Sequence, residues 1–177
     1  MIYFITGNKD KFNEAKAIIP ELEQLEIDLP EIQSLDPHEV IRAKLEAAKM
    51  HHSGDFVVED TSVELECLNG FPGPLVKSFL SALGTDGITG VTKRYEDNKV
   101  TARTIIGFMS GEKVEFFEGS LKGQIVHARG DQDFAWGPIF QPDGYNKTFG
   151  EMSREEKNSI SMRGVAFRKL RDYLEKL

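Results

Sequence analysis

The chain has 177 residues, 40% of them hydrophobic and 29% charged, a balance that suits one globular domain or two lobes sharing one core. A formal charge of −7 argues against general binding to a nucleic-acid backbone, so any phosphate site must gather a few cations locally. A single cysteine, Cys67, excludes an internal disulfide; no run of 18 apolar residues suggests a membrane span; and MIYFITGNKDK shows no targeting pattern, so the expected location is cytoplasmic.

Ile2–Thr6 is an apolar β-type run. Thr6-Gly7-Asn8 turns it into a helix that Asn8 or Asp10 can cap, with Phe12, Ala15 and Ile19 at helical spacing and Pro20 as its stop. Leu22–Leu29 alternates as a strand with one irregularity. Asp36-Pro37-His38-Glu39 then supplies an N-cap, a first-turn proline and a glutamate three residues after the cap. The helix it opens carries Val40, Ala43, Ala47 and Met50 and stops at Ser53-Gly54. Phe56–Val58 predicts a short buried strand ending at Glu59-Asp60, and Val63, Leu65 and Cys67 predict a second strand directly after it. The turn 69–74 leads to a helix around Val76–Leu83 and another over Ile88–Tyr95. Val100–Met109 and Lys113–Glu118 read as a hairpin about Ser110-Gly111, continued by Gly119–Val126. Ser153-Arg154-Glu155-Glu156 is a capping box, and the C-terminal helix carries Phe167, Leu170, Leu174 and Leu177 on one stripe. Crossover and hairpin strands mix with helices, so the expected fold is α/β with a mixed sheet.

Several stretches could carry chemistry. In TGNKDKFNE, residues 6–14, a strand, a glycine turn and a helix N-terminus offer backbone N–H groups, with Thr6, Asn8, Lys9 and Lys11 as side-chain donors for a polyphosphate. An ordinary turn with two solvated lysines would read the same, and the spacing is not that of a P-loop. In VVEDTS, residues 57–62, Asp60 could hold Mg²⁺ or take a proton from an attacking water; a solvated strand end is the alternative. Lys157 and Arg163 in EEKNSISMRG flank a helix end, where solvent-facing charges are also common. FAWGPIFQPDG, residues 134–144, sets three aromatics among two prolines and two glycines, which excludes helix or central strand and makes a shaped loop with flat rings to offer. The four histidines have no metal-binding spacing.

In order, TGNKDK, IDLPE, EDTS, NGFPGP, FAWGPIFQPDG and EKNSIS resemble the inosine triphosphate pyrophosphatase family over almost the whole chain. The resemblance implies one two-lobed domain over residues 1–177: a long mixed central sheet with flanking helices, and the active site in the cleft between the lobes. It implies Mg²⁺-dependent hydrolysis of purine nucleoside triphosphates of the ITP, dITP and XTP type to the monophosphate and pyrophosphate, by a homodimer. Glu31 and Asp60 match the metal carboxylates, with Asp60 also the proton acceptor. Thr6, Gly7, Asn8, Lys9, Asp10 and Lys11 fall on the phosphate turn. Lys44, Thr61, Lys77 and Lys157 match substrate contacts, and Phe134, Ala135, Trp136, Gly137, Met162 and Arg163 the base site. The family usually has Phe-Gly-Trp/Tyr-Asp where this chain has Phe134-Ala135-Trp136-Gly137, and Ser-His-Arg where it has Ser161-Met162-Arg163. Both departures touch base recognition, so an altered base preference is expected. A non-catalytic nucleotide-binding protein on the same fold is the competing expectation; retention of Glu31, Asp60, Lys11 and Lys157 favours the enzyme.

Overall fold

The computed structural model describes residues 1–131 and 135–177. Its strands are β1 (Ile2–Ile5), β2 (Leu22–Leu25), β3 (Asp55–Leu65), β4 (Pro72–Gly73), β5 (Lys99–Ser110), β6 (Lys113–Ile125) and β7 (Phe140–Pro142). Its helices are α1 (Lys9–Ile18), α2 (Pro37–His51), α3 (Val76–Arg94), α4 (Arg154–Ile160) and α5 (Met162–Leu174). The sheet runs β2-β1-β3-β5-β6-β7, with β4 paired to β3. β1 is parallel to both β2 and β3, whereas β4 and β7 pair antiparallel, so the sheet is mixed as expected.

The chain divides into two compact units. The first comprises Met1–Asp60, Thr104–Gly119 and Met162–Leu177. Period-two alternation along its strands sends neighbouring side chains to opposite faces. Phe4, Val57 and Ile106 pack with Ala15 and Ile19 of α1 and Ala166, Phe167 and Leu170 of α5. Ile5, Phe56, Val58 and Ile105 pack instead with Ile41, Leu45 and Ala48 of α2. Both cores are closed by burial of large aliphatic and aromatic groups, each contributing roughly 1.5–3 kcal/mol. α5 comes close enough to β6 that a Cβ on Gly119 would strike the Met162 carbonyl, so a glycine is required where this helix starts against the strand.

The second unit comprises Thr61–Arg103 and Ser120–Ser161. Gly84, at φ +66°, breaks α3 into the two helices expected on either side of it. Ser153 caps α4 through the Glu156 amide while the Glu156 carboxylate returns to the Ser153 amide, the capping box read in the sequence. Trp136 lies edge-on to Phe140 at 5.3 Å and tilted over Phe149 at 6.0 Å. Two of the three rings that make FAWGPIFQPDG conspicuous are therefore engaged with the protein itself.

Four expectations require correction. The β2 ladder ends at Leu25 and not Leu29, because its partner β1 ends at Ile5 in the matching register and the chain turns away at Thr6. Ile27 and Leu29 keep their inward spacing without strand pairing. The two strands expected over 56–67 are one, Asp55–Leu65: β1 pairs its first half and β4 its second, so Glu59-Asp60 marks a change of neighbour and not a strand end. Val40 is buried as expected, but the rest of the buried face of α2 is Ile41, Lys44, Leu45 and Ala48; Met50 is 85% exposed. The C-terminal helix is broken at Ser161, whose extended backbone (ψ 144°) separates α4 from α5, and Leu177 lies beyond α5, exposed.

Candidate active site

The strand order β2-β1-β3 fixes where a ligand belongs in the first unit. α1 leaves β1 for β2 over one face, and α2 leaves β2 for β3 over the other. Where crossovers part in opposite directions, ligands bind beyond the carboxyl ends of the strands. At that switch point stand the Thr6–Lys11 turn after β1 and, continuing the Phe4↔Val57 register, Glu59 and Asp60 on β3.

The turn is self-organised. Asn8 caps α1, its Oδ1 accepting from the Asp10 and Lys11 amides at 3.0 and 3.1 Å, and its own amide donates to Thr6 Oγ1 at 3.1 Å. The cap is Asn8 and not Asp10. Gly7, Asn8, Lys9 and Asp10 are exposed, while Thr6 and Lys11 are half-buried. Nothing lies within 4 Å of where a Gly7 Cβ would stand, and Gly7 is not among the residues with positive φ, so the protein itself does not demand glycine there.

Adjacent residues of β3 point to opposite faces, and each carboxylate meets a different set of cations. Asp60 shares the α2 face of Phe56 and Val58. Its Oδ1 lies 3.5 Å from Lys44 Nζ, which also approaches Glu31 Oε1 at 2.9 Å and donates to the Glu59 carbonyl at 3.4 Å. Asp60 Oδ2 is buried and accepts no hydrogen bond. Burial pushes the Asp60 carboxyl up to about 6; Lys44 opposes the rise, and Glu31 and Glu59 add to it.

Glu59 shares the α1/α5 face with Val57. Its Oε1 lies 2.7 Å from Lys11 Nζ, and its Oε2 accepts from Arg163 Nε at 2.6 Å. Arg163 Nη1 donates to Glu14 Oε2 at 3.0 Å. Burial alone would raise the Glu59 carboxyl, but Arg163 and Lys11 outweigh it and hold it at about 2. Two buried carboxylates and two cations thus form a neutral cluster next to the Asp60 centre.

The structure therefore brings Lys11, Arg163, Glu31, Lys44 and Asp60 together in the first unit, on two faces of one strand. Met162, which opens α5, is buried at 4% exposure. In the second unit, Thr61 follows Asp60 along β3 and is half-buried; Lys77 is exposed on α3; Lys157 on α4 is half-buried; and Ala135 is exposed. Gly137 is buried, its carbonyl accepting from the Gly150 amide at 3.1 Å. Ala135 has φ +44°, a left-handed conformation that costs an alanine roughly 1–2 kcal/mol and a glycine nothing. Phe134 lies outside the described residues. Glu59 and Glu14 had no role in the sequence reading. The signals were present: Glu59 alternates with Asp60 on a buried strand, and Glu14 lies three residues after Lys11 on one helix face.

A divalent metal suits this inventory. Mg²⁺ takes hard oxygens and needs only one or two protein carboxylates when phosphates supply the rest. Among the described residues no group of three or more His, Cys, Asp or Glu is placed to hold a metal. Asp60 with Glu31 matches the smaller requirement, and the orphaned Oδ2 is an acceptor that a cation would satisfy.

Fold and site together define an α/β protein with an exposed helix-capping turn and a carboxylate–lysine centre at the switch point of its parallel strands. The chain belongs to the Ham1 family, whose profile matches residues 2–173. It is 41% identical to the inosine triphosphate pyrophosphatase of Schizosaccharomyces pombe, over 98% of this chain and 95% of that one. The inosine triphosphate pyrophosphatase of Ajellomyces capsulatus is 42% identical, over 98% and 96%. Among solved structures, a HAM1 protein from Coxiella burnetii superposes with a TM-score of 0.87 at 22% identity, covering 99% of this chain and 98% of that one. The Staphylococcus aureus Ham1 protein gives 0.79 at 24% identity, covering 99% of each. No described helix is long and apolar enough to cross a membrane.

Proposed function

We propose that this chain hydrolyses purine nucleoside triphosphates of the ITP, dITP and XTP type to the monophosphate and pyrophosphate, removing aberrant nucleotides from the pool. Family membership and the names of the two fungal relatives support the reaction class. The observation that carries the reading here is Asp60: a buried carboxylate on β3 with one oxygen unsatisfied, beside Glu31 and Lys44. A protein that only bound nucleotide would have no need to hold a carboxylate at that cost, which favours the enzyme over the non-catalytic alternative.

Each group then has a task. Glu31 and Asp60 hold Mg²⁺, which when bound neutralises phosphate charge. Asp60 accepts the proton of the attacking water as general base. Lys11 and Lys44 attract phosphate oxygens as the Thr6–Lys11 turn receives the polyphosphate. Arg163 donates to the base, and Lys77, Thr61, Lys157 and the aromatic loop from Phe134 to Gly137 carry the remaining substrate contacts. The acting species is a homodimer in the cytoplasm.

Met162 and Gly137 offer a base no charge-bearing or N–H side-chain donor. The expected result is weaker preference for ITP and XTP over ATP and GTP than a histidine and an aspartate there would give. Pyrophosphate release across ITP, dITP, XTP, ATP and GTP, with Mg²⁺ and with a chelator, tests the proposal. Monophosphate and pyrophosphate as primary products, dependent on Mg²⁺, support it; a diphosphate with orthophosphate refutes it.

A further inference from the structure

We infer that Glu59 is a positioning residue that couples the phosphate end of the bound nucleotide to its base end, as the common counter-ion of Lys11 and Arg163. This rests on the proposed function, which assigns Lys11 to the phosphates and Arg163 to the base. The geometry supplies the link. One carboxylate, its side chain 4% exposed, meets Lys11 Nζ through Oε1 and Arg163 Nε through Oε2. The two cations differ in reach: the Lys11 side chain is 35% exposed and can turn to an arriving anion, whereas that of Arg163 is 13% exposed and is tied to Glu14 as well.

A polyphosphate that draws Lys11 away removes one of the two cations that neutralise Glu59. With Lys11 withdrawn, Arg163 is the cation left against Glu59, and the attraction of the carboxylate concentrates on it. The guanidinium is then clamped by Glu59 at Nε and by Glu14 at Nη1, and Nη2, with no hydrogen bond among the described residues, is the nitrogen left to meet a base. The ordering that base recognition requires is completed by the phosphates before the base docks, which is positive coupling between the two ends. Glu59 does this from the sheet face opposite Asp60, so it need not touch the reacting atoms.

The probes are inorganic tripolyphosphate and inosine, titrated calorimetrically into the full chain with Mg²⁺. Each should tighten the other's binding by about fivefold or more, and linkage requires the same factor in either order. In Glu59→Gln, which keeps the side-chain shape, the factor should fall to about one. Glu14→Gln should weaken inosine binding yet retain coupling, because the Lys11–Glu59–Arg163 bridge stays intact. If Glu59→Gln does not fold, Lys11→Met gives the kinetic counterpart. That lysine is assigned no contact with the base, yet its loss should shift the ITP-to-ATP ratio of kcat/KM by about fivefold. A factor of one in the parent, or an unchanged factor in Glu59→Gln, overturns the inference. Absence of pyrophosphate release by the parent overturns the functional reading instead, whereas release without coupling overturns only the bridge.

Discussion

Asp60→Asn should make the metal-free protein more stable while abolishing its turnover. The Asp60 carboxyl rises from an ordinary 3.8 to about 6, so the folded state binds its proton more tightly than the unfolded chain does. Stability attributable to this group is therefore greatest below 3.8, declines as pH rises through 6, and reaches its full penalty by pH 7. The interval from 3.8 to about 6, at about 1.36 kcal/mol per pH unit, sets an upper value near 3 kcal/mol. Asparagine keeps an oxygen for Lys44 but not its attraction to a charge, so the expected gain at pH 7 is about 1–3 kcal/mol. For a chain of this size each kcal/mol moves Tm by roughly 2–4 °C, so the variant should melt about 2–12 °C higher. Urea unfolding with a chelator present, at pH 7 and again near pH 3.5, measures the gap and its disappearance. Added Mg²⁺ should stabilise the parent and leave Asp60→Asn unmoved, with turnover reduced by at least about 10²-fold. A variant no more stable than the parent at pH 7 would refute the reasoning.

Arg163→Met should destabilise by about 3–5 kcal/mol, since it removes the guanidinium that Glu14 and Glu59 share and leaves both carboxylates buried. The Glu59 carboxyl, ordinarily 4.5 and held at about 2, stabilises fully above 4.5 and loses that contribution as pH falls toward 2; in Arg163→Met, unfolding curves should show the acid loss beginning at higher pH. Gly7→Ala should leave Tm within about 1–2 °C of the parent, because no atom opposes the new Cβ, yet raise KM for the triphosphate by crowding the turn; a lowered Tm with unchanged KM would count against the phosphate assignment. Gly119→Ala should drive the Met162 carbonyl off β6 and cost about 1–3 kcal/mol, read by denaturant midpoint. Ala135→Gly should raise stability by about 1 kcal/mol by relieving the left-handed alanine, with an unchanged midpoint as the contrary result.

Local chemistry was legible from the residues themselves. Caps at Asp36 and Ser153 depend on nearest neighbours and appear where the sequence placed them; of the two candidates Asn8 and Asp10 the structure takes Asn8, and the gap between the two expected helices falls at Gly84. The long-range features were not legible. Nothing within VVEDTS says that β1 and β4 divide one strand between them, because the pairing partners lie 53 positions away, as Ile2 does from Asp55, or across a turn. Periodicity gave α2 a stripe through Met50, one position off the face that packs, since alanines at 43, 47 and 48 suit either side. The candidate site was legible as residue types. Its division between two faces was not, because the alternation at Glu59-Asp60 acquires meaning only once α1 and α5 are known to cover one side and α2 the other. The aromatic loop misled in part: Trp136 and Phe140 are occupied with Phe149, a residue outside the motif.

Arg163 reaches Glu59 across 104 positions of chain and Glu14 across 149. During synthesis both carboxylates emerge long before their guanidinium. At about 5–20 residues per second, Glu59 waits roughly 5–20 s for its second cation. The second unit is encoded almost wholly within that interval, so it can settle while the first still lacks α5 and the Arg163 that α5 brings. A chain halted before Met162 would hold Glu59 against Lys11 without the guanidinium that Glu59 and Glu14 share, leaving the buried carboxylates short of a cation. The segment that carries Arg163 is thus also the one that discharges the interior of the first unit.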